Sequence, residues 1–364
     1  MMKRTYNFAP GPAVLPESVL KQLQKDVYDY ADLGIGILEL SHRSKEFDVI
    51  AEESESRLRH LLGISSEYYV LFLNDGSTKQ FSMVPRNLCR DKKSADYIQT
   101  GYWSQRAIED AQKFVHVRLA ASTKDVNYVR LPMPDEIDID HNTSYVHYTA
   151  NETINGLEFP YVPKCYDLPL VSDMSSNFLS KPIDVNQYGL IYASAQKNFG
   201  PSAFCVVIIR KDLVGHAPNG TPKLDDYAVH IKAGSRYNTP NTIAWYTAYL
   251  MFDWIKDQGG LEVINEHNHS KSKMLYDYID KSTMYINPIY KDHRSRMNVP
   301  FTLRVPDEDL EKLFVEEAKK AHLNHLEGHR SIGGMRASIY NSMPVEGVKA
   351  LIDFMKEFEA KHNN

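Results

Sequence analysis

Asp173 and Lys197 are the two ionisable residues whose placement first suggests chemistry, because each follows a short apolar run. Asp173 closes the run 170–172, and Lys197 follows the run 190–193. A lysine that loses hydration at a strand end tends towards the neutral amine, the form a Schiff-base nucleophile needs. A carboxylate beside a pyridine nitrogen keeps that nitrogen protonated. A surface lysine and a helix-capping aspartate are the plain alternatives for each residue taken alone.

Two further segments carry the features of an anion site. Residues 74–81, Asn-Asp-Gly-Ser-Thr-Lys-Gln-Phe, follow an apolar run and precede a predicted helix. Backbone N–H groups at a helix start bind anions, and Ser77 and Thr78 add hydroxyls. Asn238 and Thr239 precede a second predicted helix beginning near Pro240. Turn geometry and helix capping explain both segments equally well when each is considered alone.

Aromatic and cationic residues extend the candidate site. The Trp103 ring has the right shape to stack on a planar cofactor, although a tryptophan is more often part of a core. Guanidinium groups bind phosphate and carboxylate bidentately, which an anionic substrate needs. Taken one by one, arginines are usually exposed surface residues. Candidates for anion binding occur in two His-Arg pairs and one later arginine: His42, Arg43, His329, Arg330 and Arg336.

The elements that must position these residues are short apolar runs alternating with amphipathic segments. Predicted buried strands cover 69–73, 95–99, 145–148, 170–172, 190–193 and 203–209. Residues 44–62 predict a helix with Ser44 as its N-cap and Gly63 as its stop. This alternation predicts an α/β fold whose mainly parallel sheet is covered by helices. In such sheets the carboxyl ends of the strands bind ligands.

The pattern changes at Gly259-Gly260, which ends a helix that Thr239-Pro240 is predicted to open. Fewer strands follow, at 297–303 and 335–339, with helices at 307–322 and 345–361. We therefore predict a large domain over 1–258 and a smaller α+β domain over 259–364. The first ~15 residues are expected to pack either with the small domain or with a partner.

Composition excludes several classes of protein. The chain has 364 residues, with 42 basic and 47 acidic residues and a formal net charge of -5. This balance argues against nucleic acid as the main partner. The apolar runs are too short to cross a membrane, and no signal-peptide pattern opens the chain. The cysteines at 89, 165 and 205 have no metal-type spacing, so we expect no metal, no disulfide framework and a cytoplasmic location.

Taken together, the motifs resemble those of the phosphoserine aminotransferase family, class V enzymes of fold type I that use pyridoxal 5′-phosphate (PLP). The resemblance covers essentially the whole chain. It is carried by segments 7–16, 41–47, 195–198, 296–301, 328–330 and 334–341. It implies a transfer of the amino group between glutamate and 3-phosphohydroxypyruvate, giving O-phospho-L-serine and 2-oxoglutarate in serine biosynthesis. Some relatives also accept 4-phosphohydroxythreonine.

The resemblance also implies a role for each matched residue. Lys197 would form the Schiff base with PLP and then move the proton, Asp173 would pair with the ring nitrogen, and Trp103 would stack on the ring. The further PLP-binding residues would be Ser77, Thr78, Thr153 and Gln196, together with Asn238 and Thr239 from the second subunit of a homodimer. Arg336 would bind the substrate α-carboxylate. His42, Arg43, His329 and Arg330 would receive the phosphate or the distal carboxylate of glutamate.

One position departs from the family pattern. Some relatives carry an arginine where Thr78 stands, and Lys79 is the nearest residue in the sequence with a positive charge. Rival hypotheses remain at this stage. Another fold-type-I activity, such as a serine–glyoxylate-type aminotransferase or a cysteine desulfurase, would share the fold, and a desulfurase would need an activated cysteine, with Cys165 the loop-like candidate. A binding protein without cofactor is the alternative from another class.

Overall fold

The computed structural model describes residues 4–89 and 93–362. The helices are α1 (Glu17–Tyr28), α2 (Lys45–Leu62), α3 (Ser77–Leu88), α4 (Tyr102–Ala111), α5 (Ala195–Asn198), α6 (Tyr227–Lys232), α7 (Thr242–Asp257), α8 (Gly260–Lys281), α9 (Glu308–Lys320) and α10 (Val345–His362). The strands are β1 (Tyr6–Asn7), β2 (Tyr68–Leu73), β3 (Ser94–Gln99), β4 (His116–Ser122), β5 (Val146–Thr149), β6 (Asn151–Glu152), β7 (Leu157–Glu158), β8 (Leu170–Asp173), β9 (Leu190–Ser194), β10 (Cys205–Arg210), β11 (Tyr285–Ile286), β12 (Asn298–Leu303), β13 (Leu323–Asn324) and β14 (Met335–Ser338).

A seven-stranded sheet forms the centre of the molecule, in the order β2-β10-β9-β8-β5-β3-β4. The pairs from β9 to β4 are parallel, and only β10 runs antiparallel to its neighbours β9 and β2. Apart from the edge strand β4, its strands are almost wholly buried, as expected when helices cover both faces. The prediction of a mainly parallel, helix-covered sheet is confirmed.

The six predicted strands of this sheet are all present, and their ends shift by one or two residues. Strand β4 was missed because its burial pattern is mostly exposed or intermediate, so it lacks the apolar run of a buried strand. Helix α2 has the predicted ends: the Ser44 hydroxyl accepts a hydrogen bond from Phe47 N at 3.2 Å, and Gly63 ends the helix at φ 62°.

The predicted start of α7 at Thr239-Pro240 is wrong. Asn241 is the N-cap, and its side chain accepts a hydrogen bond from Ala244 N at 3.1 Å. The helix therefore begins at Thr242, and Pro240 precedes the cap. Helix α7 ends before Gly259, as predicted, but α8 starts at once and runs 22 residues, a helix that the sequence analysis did not identify.

Three apolar clusters lie along the described residues. The largest covers one face of the central sheet, a second joins β12, β14, α9 and α10, and a third packs α3 and α4 against the opposite face of the sheet. Helix α8 contributes Leu261 to the first and Leu275 to the second. The N-terminal segment joins the second cluster, since β1 pairs with β13 and Phe8 is fully buried there. Within the described ranges, no helix is both long and apolar enough to cross a bilayer.

Candidate active site

A cavity opens at the carboxyl edge of the central sheet, where β5, β8 and β9 end. The register places Asp173 opposite both Thr149 of β5 and Tyr192 of β9. The chain leaves β9 into the one-turn helix α5, which carries Lys197, before it returns as β10. The cavity is lined by polar and small residues: Gly76, Ser77, Thr78, Phe81, Trp103, Thr149, Asn151, Thr153, Asp173, Ser175, Ser176, Ser194, Gln196 and Lys197.

Lys197 is held inside this cavity by Thr153. Its Nζ donates a hydrogen bond to Thr153 Oγ1 at 2.7 Å and lies 5.7 Å from the centroid of the Trp103 ring. Although the residue as a whole is half-buried at the cavity wall, protein surrounds the amine. Loss of hydration lowers the pKa of Lys197 to about 8, and the nearby carboxylates of Asp173 and Glu152 oppose this drop.

Asp173 is a buried carboxylate that is linked through hydrogen bonds of Ser175 to Ser77, at the start of α3. Its Oδ1 accepts hydrogen bonds from Ser175 N at 2.9 Å and from Ser175 Oγ at 2.5 Å. Ser175 Oγ also lies 2.7 Å from Ser77 Oγ. Burial raises the pKa of Asp173, while the Lys197 ammonium and the bonds from Ser175 lower it. Asp173 therefore both accepts the hydrogen bonds of a local turn and lines the cavity, so the capping interpretation and the site interpretation are compatible.

A second polar chain reaches Asp173 from within the sheet. The Tyr192 hydroxyl forms a hydrogen bond that lowers the pKa of Asp173, and it lies 2.8 Å from His147 Nε2. The His147 ring stacks on Tyr97 at 4.7 Å. Burial lowers the pKa of His147 to about 3, so the ring is neutral. Asp173 thus faces a layer of buried, uncharged polar groups.

The loop before α3 fits a phosphate group. Gly76 is the N-cap of α3 and supplies no side-chain acceptor to the first amides of the helix. Ser77 and Thr78, at the first turn, both line the cavity, as does Gln196. Two buried polar atoms of the wall, Trp103 Nε1 and Thr149 Oγ1, have no protein partner among the described residues. Helix-start amides, hydroxyls, an amine and a carboxylate together match the groups of PLP.

The arginines lie in three different settings. Arg336, on β14, is 5% exposed, and no carboxylate of the described residues forms an ion pair with it. It lies close enough to Lys197 to lower the pKa of that lysine. Arg330 is exposed, and His329 is half-buried, with its ring 5.1 Å from that of Tyr102. Burial and the charge of Arg336 lower the pKa of His329.

Four further predicted site residues lie outside the cavity wall, as do His329, Arg330 and Arg336. His42 is half-buried, while Arg43, Asn238 and Thr239 are exposed, and none of the four belongs to the cavity wall that the structure describes. The Thr239 carbonyl accepts a hydrogen bond from the Asn74 side chain at 2.8 Å.

Lys79 does not replace the arginine that some relatives carry at the Thr78 position. Its Nζ forms an ion pair with Asp225 at 2.5 Å, and Arg86 pairs with the other oxygen of the same carboxylate. Asp225 is buried, so this interaction directs Lys79 away from the cavity wall. Among the described residues of segment 74–81, the one cationic side chain is therefore already paired and does not line the cavity.

Sequence analysis missed several residues around the site. Ser175 and Tyr192 lie two residues from a strand end or within a strand, and their alternation with apolar neighbours was the available signal. His147 was hidden inside an apolar strand. Glu152 directly precedes Thr153 and was not considered, although a glutamate between buried positions is unusual. It is fully buried and accepts hydrogen bonds from the start of α4.

Comparison with known proteins agrees with this geometry. The model of the aminotransferase class-V family matches residues 5–351. The chain is 50% identical to a phosphoserine aminotransferase of Pseudomonas putida over 362 residues, covering 100% of both chains. It superposes on a phosphoserine aminotransferase structure from Bacillus circulans subsp. alkalophilus with a TM-score of 0.96, 42% identity and 99% of each chain covered.

The chain belongs to the phosphoserine aminotransferases of the class V family. A PLP-bound phosphoserine aminotransferase from Trichomonas vaginalis is also similar, with a TM-score of 0.94, 38% identity, and 97% of this chain and 100% of that one covered. The enzyme is a PLP-dependent aminotransferase of fold type I, as the sequence predicted. A ureidoglycine–glyoxylate aminotransferase from Bacillus subtilis shares only the fold, at 13% identity and a TM-score of 0.80.

The cysteines give no support to a desulfurase. Burial raises the pKa of Cys165 to about 12, that of Cys205 to about 12 and that of Cys89 to about 11. A reactive cysteine needs the opposite shift, because the thiolate is the nucleophile.

The pKa of the Lys197 amine is expected to depend on the neighbouring carboxylates. Asp173→Asn removes a charge that raises the pKa of Lys197, so this pKa should fall below about 8 in the apoenzyme. The pH dependence of Lys197 acetylation by acetic anhydride, quantified by mass spectrometry, measures it. Asp307→Asn, which alters an exposed carboxylate capping α9, is the matched control and should leave the pKa unchanged. An unchanged or raised pKa in Asp173→Asn would contradict the electrostatic account.

Proposed function

We propose that the enzyme transfers the amino group between glutamate and 3-phosphohydroxypyruvate, giving O-phospho-L-serine and 2-oxoglutarate for serine biosynthesis. The observation that carries this proposal is Lys197: a buried amine with a pKa lowered to about 8, held by Thr153 beside the Trp103 ring. An amine of this kind is partly neutral near physiological pH and can act as nucleophile and base. A transamination of this type runs as two half-reactions through one site.

PLP, when bound, supplies an electron sink for the negative charge that develops at the substrate Cα. In the proposed roles, Lys197 Nζ would take a proton from the substrate Cα in one half-reaction and deliver a proton to the substrate Cα in the other, acting as a shuttle within each half-reaction. Thr153 Oγ1 keeps that amine in place between the two transfers. Asp173 holds a proton on the ring nitrogen, since its buried carboxylate is the acceptor facing the cavity and Ser175 fixes its orientation. Ser77, Thr78 and Gln196 bind the cofactor phosphate.

Arg336 is the proposed partner of the substrate α-carboxylate. A buried guanidinium without a carboxylate costs considerable free energy of desolvation unless an anion pairs with it. Its Nε has no hydrogen-bond partner among the residues described. Both amino-acid substrates and both oxo acids carry an α-carboxylate, so one arginine serves each half-reaction.

The second anionic group is assigned to the exposed His329-Arg330 segment and to His42 and Arg43. Both glutamate and O-phosphoserine present a second anion, and the phosphate loop itself offers no free cation because Lys79 is paired with Asp225. The guanidinium groups can supply that charge, and a neutral imidazole can donate a hydrogen bond to the same anion. 4-Phosphohydroxythreonine carries the same groups and is a second candidate substrate.

Homodimer formation would bring His42, Arg43, Asn238 and Thr239 to the site of the opposite subunit. These residues are half-buried or exposed in the single chain, as a residue reserved for a partner should be. The chain segment that leads to and follows His42 and Arg43 carries exposed apolar side chains, namely Tyr28, Leu33, Ile35, Leu38 and Val49. Apolar patches of this kind mark protein interfaces. The free cysteines fit a reducing, cytoplasmic compartment.

The first test is visible absorbance of the purified enzyme before and after O-phosphoserine. We expect a cofactor band that converts to the amine form with O-phosphoserine and far less with serine. Lys197→Ala is expected to lose turnover, by several orders of magnitude, because the proposed proton-transferring amine is removed. A band indifferent to O-phosphoserine would keep the cofactor but reject the substrate. A chain that binds no PLP at all would instead point to the cofactor-free alternative.

Arg330→Leu should selectively reduce kcat/KM for the phosphorylated substrate. Loss of a charge-assisted contact typically costs about 1.5–3 kcal/mol, so kcat/KM for O-phosphoserine should fall on the order of tenfold to hundredfold. The ratio of kcat/KM values for O-phosphoserine and serine is the measurement. Lys79→Met is the matched control, because its cation is already paired with Asp225, and the ratio should stay the same. A ratio that falls in the control but not in Arg330→Leu would reverse the assignment.

Shared sites can be tested by mixing two inactive chains. Lys197→Ala and Arg43→Leu chains, coexpressed with different tags, should regain roughly a quarter of the wild-type activity, because half of the dimers carry one intact site. If Arg43 serves its own subunit, both sites of the mixed dimer are defective and no activity returns. Retention of both variants through successive purification on the two tags confirms that mixed dimers form.

A further inference from the structure

The dipeptide Glu152-Thr153 contacts two parts of the cofactor site: the amine of Lys197 and the start of the helix that carries Trp103. Thr153 accepts the hydrogen bond from Lys197 Nζ at 2.7 Å. Glu152, one residue earlier, contacts the start of α4, the helix that carries Trp103. Both residues belong to the tight hairpin of β6 and β7, so one rigid segment touches both groups.

The contact between Glu152 and α4 is bidentate. Glu152 Oε2 accepts a hydrogen bond from Trp103 N at 2.9 Å, and Oε1 accepts one from Ser104 N at 2.8 Å. Asn155, from the same hairpin, accepts a third bond from Tyr102 N at 3.1 Å. The first three amides of α4 are therefore bound by side chains of one distant segment. A carboxylate at this end of a helix also interacts favourably with the helix dipole.

Gly101 makes this approach possible. As the N-cap of α4 it has no side chain to cap the helix, and a Cβ there would lie 2.6 Å from both Glu152 Cδ and Asn155 Oδ1. Glycine thus leaves the space that the Glu152 carboxylate fills. The helix start is positioned by the hairpin rather than by its own preceding residue.

An ordinary helix cap does not need this arrangement. Caps are commonly serine, threonine, aspartate or asparagine at the N-cap itself, with little cost in desolvation. Glu152 is 0% exposed, and burial of its carboxylate opposes ionisation. Because the buried Glu152 carboxylate belongs to the hairpin, its hydrogen bonds fix α4 relative to the hairpin. A cap residue within the α4 segment itself would not do this.

We propose that Glu152 is a positioning residue for the cofactor site, which sets the place of the Trp103 ring relative to the Thr153-bound amine of Lys197. This inference rests on the proposed roles of Trp103 and Lys197. Glu152 does not touch the reacting atoms. Its effect passes through the backbone of Trp103, so it governs the orientation and affinity of the bound cofactor.

The test compares Glu152→Gln with wild-type enzyme by three measurements: equilibrium affinity for PLP, visible circular dichroism of the bound cofactor, and melting temperature of the apoenzyme. The amide keeps one acceptor but turns a donor towards the second helix amide, so one capping bond is lost. We expect PLP affinity to fall on the order of tenfold and the dichroism to weaken. Asp307→Asn makes the same carboxylate-to-amide change at the start of α9 and should alter neither cofactor measurement.

A double-mutant cycle identifies the route of the effect. In a Trp103→Ala background, Glu152→Gln should cause little further loss of PLP affinity, because the positioned ring is already absent. Fully additive losses would overturn the proposal. So would a Glu152→Gln enzyme that melts at a lower temperature while its PLP affinity and dichroism stay at wild-type values, since that result defines a purely structural cap.

Asn155→Ala provides a milder variant if Glu152→Gln does not fold. Asn155 is half-buried and binds only the Tyr102 amide, so its loss should weaken the dichroism less than the loss of the Glu152 contact. Unchanged dichroism in Asn155→Ala would contradict positioning by the hairpin. Wild-type enzyme that binds no PLP would refute the proposed function instead, so the two failures are distinct.

Discussion

The desolvated amine of Lys197 is the constraint around which the site is organised. Taking an ammonium out of water is costly, and the chain limits that cost with the Thr153 hydroxyl and with the buried carboxylates of Asp173 and Glu152. The two carboxylates oppose the drop in pKa that burial causes, and the pKa of the amine is about 8. A fully solvated lysine would stay protonated, and one buried without carboxylates would be neutral but poorly held.

The parallel sheet supplies the geometry that this balance needs. Because β5, β8 and β9 all end at one edge, residues distant in sequence meet there within a few ångströms. The antiparallel β10 then returns the chain directly, so Lys197 lies in a short connection fixed at both ends. Buried strands on both sides give the amine and the carboxylates a rigid frame, which preorganises a site better than mobile loops do.

Much of this arrangement could be predicted from the sequence, for physical reasons that differ between residues. Buried strands are recognisable as apolar runs in the sequence. Asp173 and Lys197 could be identified because each follows the end of such a run. Strand β4 was not predicted because it is largely exposed. The start of α7 was placed too early because Thr239-Pro240 has the sequence of a helix cap, whereas Asn241 is the actual N-cap. Glu152, His147 and Lys79 depend on partners far away in sequence, at α4, Tyr192 and Asp225, which no local pattern encodes.

The pairing of Lys79 with Asp225 bears on how an anionic substrate is recognised. A cation within the phosphate loop would serve the cofactor and the substrate from one subunit. Here Asp225 binds both Lys79 and Arg86, so the loop is left with backbone amides and hydroxyls, which suit a phosphate that stays bound. In the proposed assignment the second anion of the substrate is bound instead by Arg330, which is exposed, and solvent weakens an exposed ion pair. Under that proposal the cofactor phosphate and the substrate anion have separate sites, so the cofactor can stay bound while the substrate exchanges.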